Sequence, residues 1–365
     1  MVYLDNHTTT SPCGPALDRL RSENVPSLDN QTQILYDFVG AEIADRFVFT
    51  SSGAEAINQV HWTVFLELAR KEGKCHFITS AFEDAPMTQS LKRLEELGCF
   101  VKIVPFTREG QIDFVRLAEL ISPRTALISI SLAQGLTGVV QPVEEIAKLA
   151  KEKNVLLHVD ATYALGKIAT PFHGLDYLTF AGDRLHSVKG SGGLFAKAGR
   201  PLLPFILGGE EQGGLRGGSL DTPSFLALTA AVNQATLFLD TMNLEVARLR
   251  DRFEEGVVRE IPTAKVLFQD ALRLPNVSVI CFPRAHQEAM LFLLQRKNFL
   301  ASIGGSYMPQ LSRLLMASGL DEQLAQTAVS FSLSRYTTQA EIDKAIALLS
   351  DAVRQLYALS QDLFS

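Results

Sequence analysis

A chain of 365 residues exceeds what one hydrophobic core usually organises, so two packed units are expected. Apolar residues make up 47% and charged residues 20%, and a formal charge of −6 gives no electrostatic footprint for nucleic acid. No apolar run reaches the length of a membrane span and "MVYLDNHTTTSP" lacks a basic-then-apolar leader, so a cytoplasmic protein binding neither nucleic acid nor membrane is expected.

From Arg46 to Asp160 the pattern alternates strand and helix. "RFVFT" precedes a helix with Ile57, Val60, Val64 and Leu68 at helical spacing. "CHFIT", a helix through Leu91 and Leu94, "CFVKIVPF" and a helix around Phe114 and Leu117 follow. Then come "TALISIS", the helix "VEEIAKLAKEKN" and the strand "VLLHVD". Such alternation predicts βαβ crossovers and a mainly parallel sheet with helices on both faces, an α/β fold. Ligands of such sheets sit beyond the carboxyl ends of the strands. That rule selects "TSSGAE", "SAFEDAP", "SLAQGLTG", "VDATYALG" and "FAGDRLHS" as the mouth of any site. After "GGEEQGGLRGGSLDTP" the chain predicts a long helix from Pro223 past Arg252, the strand "NVSVICF", a helix through Met290 and Leu294, then "FLASIGGSYMPQL", "AVSFSLSRYTTQAEID" and a terminal amphipathic helix. Two domains are expected: a large one over 1–225 and a smaller α+β one over 226–365.

Cys13, Cys75, Cys99 and Cys281 are scattered, and Cys75 and Cys99 fit small buried thiols beside strands. The seven histidines are dispersed and show no metal-ligand spacing, so no metal site is expected. Ser52 three residues before Glu55 has capping-box spacing; the amides behind it could hold a phosphate, and plain capping accounts for them equally well. Asp160 ends a buried strand, as an Asx turn would also allow, and "GGLRGGS" is compatible with a simple flexible loop. None of these alone names a function.

In this order, "YLDN", "FTSSGAEA", "VDATYALGK", "FAGDRLHSVKGSGGLFAK", "GGEEQGGLRGGS" and "FSLSRYTTQAEID" resemble the landmarks of the NifS-like cysteine desulfurases, class V aminotransferases of the fold-type I, pyridoxal phosphate-dependent kind. The resemblance runs from Tyr3 to about Ile346 and implies a PLP-transferase-like fold and a homodimer. The chain departs from the family where the chemistry resides. The family's Ser-x-His-Lys corner carries the Schiff-base lysine; here that position is Arg184, whose guanidinium stays protonated and cannot attack an aldehyde. Lys189 lies past the corner, in the glycine turn, and is no substitute. The cradle hydroxyls fall on Ala54 and Ala181, and the cradle histidine on Asp183. Two like charges 4 Å apart cost about 4 kcal/mol at an effective dielectric of 20, which opposes a bound phosphate. The ring-stacking histidine falls on Asp84, the glutamine facing the phenolic oxygen on Tyr163, and the asparagine near the ring on Gln134 or Gly135. Asp160, the family's partner for the pyridine nitrogen, is retained. The sulfur-accepting loop is shortened and lacks cysteine, with Ser306 or Tyr307 nearest the missing thiol, and the substrate-carboxylate arginine is Ser330.

The resemblance therefore implies a catalytically lapsed homologue, a pseudoenzyme with no catalytic residue and no covalent cofactor, acting on an unknown protein partner or small ligand. The alternatives are an enzyme of changed chemistry using Asp84, Asp183, Asp160 and Tyr163, and an active pyridoxal phosphate-dependent desulfurase or aminotransferase. Arg216 and Ser219 in "GLRGGS" are expected at the pocket or at a two-fold interface near the partner's site. Arg184 is expected to turn inward and pair with Asp160 or Asp84, since a guanidinium fork suits a buried carboxylate.

Overall fold

The structure, a computed structural model, describes residues 1–22 and 26–362. Seven strands form the main sheet: β1 (Arg46–Thr50), β2 (His76–Ser80), β3 (Phe100–Val104), β4 (Thr125–Ser131), β5 (Leu156–Asp160), β6 (Tyr177–Ala181) and β7 (Gly192–Ala196). Their order is β1-β7-β6-β5-β4-β2-β3, and β7 alone runs against its neighbours. Adjacent residues of one strand feed opposite faces. Leu127, Leu156 and Leu194 join one core, with Ile57, Val60 and Leu91. Ile128, Leu157 and Phe195 join the other, with Ile146, Phe225 and Leu228. This explains the unbroken apolar runs of the sequence, since a strand covered on both sides has no polar face.

The helices start where the local chemistry predicts. In α1 (Gly53–Val64), Ser52 accepts from Glu55 N at 3.2 Å, and Glu55 Oε2 accepts from Ser51 N at 2.8 Å. This is the capping box with its return bond one residue early. α2 (Ala85–Glu96) follows β2, α3 (Phe114–Leu120) follows β3, and α4 (Val143–Glu152) precedes β5. The expected long helix is present in pieces: α5 (Thr222–Thr241), a π-helical turn at Met242–Val246, and α6 (Ala247–Glu260). Asp221 caps α5 by accepting from Ser224 N. Cys99 is buried as expected, whereas Cys75 is only half-buried and takes a hydrogen bond from Arg124.

A second, antiparallel sheet holds β8 (Lys265–Leu267), β9 (Val277–Cys281) and β10 (Ala328–Ser332), in the order β10-β9-β8. Its core unites Phe253, Ile280, Phe331 and Leu349 with Val2 and Leu4 from the start of the chain. Val2–Tyr3 pairs in parallel with Phe299–Leu300, and Asp5 bridges Ser332. The next residues cross to the main sheet, where both the amide and the hydroxyl of Thr10 donate to Asp183 O (3.0 and 2.7 Å). The N-terminal segment thus straps the second sheet to the corner after β6. Among the described residues no helix is long and apolar enough to cross a membrane.

Candidate functional site

The loops after β1, β2, β4, β5 and β6 gather at one end of the sheet, as the parallel-strand rule predicts. The corner after β6 is a single 3-10 turn, Gly182–Arg184. Arg184 is buried, at 8% exposure, and does turn inward, but its partners differ from those expected. Its ion pair is with the neighbouring Asp183, Nε donates to His7 O at 2.9 Å, and Nη2 donates to the Tyr307 hydroxyl. Its guanidinium lies 5.3 Å from the Tyr307 ring centroid. The expected pairing with Asp160 or Asp84 is not formed. Asp160 Oδ1 already accepts from Thr162 (2.9 Å) and Thr179 (3.0 Å), and Asp84 accepts from the Tyr163 hydroxyl. Asp183 is only half-buried and adjacent in sequence, so pairing there leaves one charge partly hydrated.

Tyr307 arrives on a short hairpin, Gly304–Gly305 with Met308–Gln310, and its hydroxyl donates to Thr8 O at 2.8 Å. Of the two residues expected near the missing thiol, Tyr307 faces the site and Ser306 is exposed. Lys189 is exposed in its turn. Ser330 is fully buried and donates to Leu136 O at 2.6 Å. Gln134 folds back on its own loop, accepting from the amides of Leu136 and Thr137. Gly135 sits under the Tyr163 ring, where a Cβ would come within 2.5 Å of Cζ. Ala54 and Ala181 flank Gly53, whose Cβ would meet Ala181 Cβ at 3.2 Å. Arg216 is tied within its own chain to Glu55 (Nε to Oε1, 3.0 Å), and Ser219 is exposed.

The site is rich in buried carboxylates. After β2 the chain turns through a left-handed Phe82 (φ 65°) and sets down Glu83 and Asp84 in succession. Glu83 accepts from the Ser80 hydroxyl, from Ser131 N at 3.0 Å and from the Ser131 hydroxyl. Burial pushes Glu83 and Asp84 each up to about 7, and Asp160 up to about 6. The hydroxyl bonds act against that shift, while mutual repulsion adds to it at Glu83 and Asp84. Among the described residues no set of three such side chains is arranged to hold a metal. The cavity between Glu83, Asp84, Gly135 and Tyr163 is about 10 Å³, room for roughly one water.

Behind Asp160 runs a buried relay that strand register builds. Ser129 lies opposite His158, and Thr179 opposite Asp160. Thr179 donates to Asp160, so its oxygen accepts from His158 Nε2 at 2.9 Å. His158 Nδ1 then accepts from Ser129 at 2.7 Å, and Ser129 accepts from His61 Nε2 at 2.7 Å. Ser90 closes the chain at His61 Nδ1, 2.6 Å away. Burial pushes His61 down to about 3 and His158 well below the usual range, so both rings are neutral. Each has one proton, which matches one donor and one acceptor per ring. The relay presents a file of dipoles to Asp160 and brings no charge.

The residues 18–345 match the family model described as Aminotransferase class-V. Cysteine desulfurase 2 of Trichormus variabilis is 36% identical, over 88% of this chain and 81% of its own length. The cysteine desulfurase NifS of Azotobacter vinelandii is 30% identical, over 98% of this chain and 94% of its own length. A solved NifS-like protein superposes with a TM-score of 0.88 at 26% identity, covering 97% of this chain and 99% of that one. The chain belongs to the class V aminotransferase family, among the NifS-like cysteine desulfurases. Its mainly parallel α/β architecture is the fold of those relatives. Within the NifS-like fold, sequence reasoning missed Glu83, Tyr307's role at Arg184, His7 and the His61–His158 relay. One signal was available: His158 and Asp160 are two apart on a strand and so share a face.

Ser129→Ala leaves His61 Nε2 and His158 Nδ1 buried without partners. It is expected to cost about 2–4 kcal/mol, since each unsatisfied buried group costs roughly 1–3 kcal/mol, read by urea unfolding. A second expectation concerns pH. A carboxyl whose folded pKa is raised stabilises the protein at low pH, and for Asp84 that contribution is lost progressively as pH rises from the ordinary 3.8 to about 7. The buried neutral His61, His158 and His186 act oppositely, because unfolding lets them charge as pH falls. The difference between Asp84→Asn and the wild type isolates the carboxyl: the variant should gain a few degrees in Tm near pH 8 and little near pH 4. Equal differences at both pH values would rule out a raised Asp84.

Proposed function

We propose that this chain is a catalytically lapsed cysteine desulfurase homologue, a NifS-like pseudoenzyme. In this reading it neither holds pyridoxal phosphate covalently nor forms a persulfide, and it acts in the cytoplasm by binding a partner protein or a small ligand. The observation that carries the reading is Arg184. It stands at the family's Schiff-base position, cannot become a nucleophile, and is held by Asp183, His7 and Tyr307. The residues present do not fit pyridoxal phosphate. Ala54 and Ala181 offer the phosphate no hydroxyl, and beside the retained Asp160 stand Glu83 and Asp84, which repel an anion once ionised. The Tyr163 ring covers Gly135, and about 10 Å³ is left beside it. The reading of changed chemistry draws support from Asp84 and Glu83, whose raised pKa values suit acid-base work near neutrality, but that space admits no substrate larger than water.

The same proposal includes a homodimer. In the loop before "GLRGGS", Phe205, Ile206 and Leu207 are exposed together (41, 37 and 82%), an apolar run that a second copy would cover. Sedimentation at micromolar concentration should give twice the 40.0 kDa chain mass, and a monomer would count against the interface.

Purified protein mixed with pyridoxal phosphate should show no visible band that borohydride bleaches. Arg184→Lys should stay equally colourless, because cradle and ring contacts remain absent. If that one change yields a borohydride-sensitive chromophore, the site has lapsed by a single residue and the proposal fails.

A further inference from the structure

On the other side of the corner lies a second cavity, and its charge is opposite. Lys167, Arg184, His186, Asn276 and Arg335 line it with the uncharged Asn6, Thr10 and Ser334 and with apolar neighbours, and no carboxylate does. Arg335 is 7% exposed and follows β10 by three residues. Its guanidinium lies 5.3 Å from the ring centroids of both Phe238 and Tyr336, and Nε and Nη2 have no hydrogen-bond partner. Those two atoms share one edge of the guanidinium, so the unpartnered N–H bonds are parallel and aimed alike. Lys167 is 8% exposed and gives one hydrogen bond, to Arg184 O at 3.2 Å. Burial first, then Arg184 and Arg335, pull it down to about 7. Asp183, the nearby carboxylate, is spent on Arg184. A buried charge without a partner is costly, and arginine, unlike lysine, cannot relieve the cost by losing a proton.

We propose that this cavity is a binding site for a small monovalent anion of halide size, seated on the Nε–Nη2 edge of Arg335 and facing Lys167. Size follows from the space, about 10 Å³ or roughly one water, which excludes phosphate, sulfate and larger carboxylates. The anion supplies the missing counter-charge and keeps Lys167 protonated. It thereby ties the turn after β5 to the segment after β10, behind Arg184. The rival occupant is a neutral water bridging Arg335 to Asn276 Oδ1, an acceptor that also lacks a partner. The inference does not rest on the loss of cofactor chemistry.

Bromide distinguishes the two occupants. Crystals of the full chain grown or soaked in sodium bromide should show an anomalous peak against Arg335 Nε and Nη2. In solution, replacing gluconate by bromide or chloride at constant ionic strength should raise Tm saturably, as expected for a ligand of the folded state. Sulfate should not reproduce the shift. Arg335→Lys keeps the charge and loses the two-pronged edge, and should weaken halide binding at least about tenfold. Arg335→Met, packed against the same two rings, should abolish it. Density for water alone in the bromide crystal overturns the proposal, and so does an equal saturable shift in Arg335→Met or with sulfate. If a variant does not fold, the wild-type crystal decides.

Discussion

The guanidinium of Arg184 is the tie on which the site depends. It takes an acceptor from the N-terminal strap (His7), from its own corner (Asp183) and from the hairpin more than a hundred residues later (Tyr307). Five fixed donors in a plane suit three such segments; the single ammonium of a lysine would not hold them in one geometry. The strap is also held to the corner by Thr10 on Asp183 O and His186 N, by Ser11 O on His186 Nδ1 and by the Cys13 amide on His186 O. So Arg184 is the structural hub of the corner.

That hub leaves the carboxylates to find other terms. Glu83, Asp84 and Asp160 are buried near one another with hydroxyls and amides for partners and no direct ion pair. Hydroxyl donors lower a carboxylate's pKa less than burial raises it here, so protons stay on the cluster to near neutrality. The His61–Ser129–His158–Thr179 file stabilises Asp160 through dipoles alone. Its histidines pay no charge-burial penalty because they are neutral, which a cationic partner could not match in a dry interior.

The fold was legible because its signal is local. "TALISIS" and "VLLHVD" announce covered strands, and Ser52–Glu55 announces the cap that the structure forms. The polar corner at Asp183–Arg184 was legible as a turn after a covered strand, which the structure forms as Gly182–Arg184. What failed is what register and long-range packing decide. The partner of Arg184 was misassigned because the adjacent Asp183 takes the guanidinium, while Asp160 Oδ1 is engaged by Thr162 and by Thr179, a pairing that depends on which residue of β6 lies opposite β5. Tyr307 and His7 come from opposite ends of the chain. Arg216 looked free for a neighbour because Glu55, its partner, is 161 residues away.

The two cavities together explain why Arg184 binds the nearest acid and not the buried one. On one side stand three carboxylates inclined to hold protons; on the other stand Lys167 and Arg335, inclined to lose one or to gather an anion. A guanidinium driven fully toward Asp160 would pull its charge out of reach of Asp183 and leave that carboxylate alone beside Thr9. Paired with Asp183, it forms a neutral unit at the boundary. The acidic cluster then relaxes by protonation, which carboxylates near neutrality can do at little cost. The basic side has no equal remedy, because Arg335 cannot release its proton. The asymmetry in what each side chain can do with a proton, more than the count of charges, sets the arrangement of the corner.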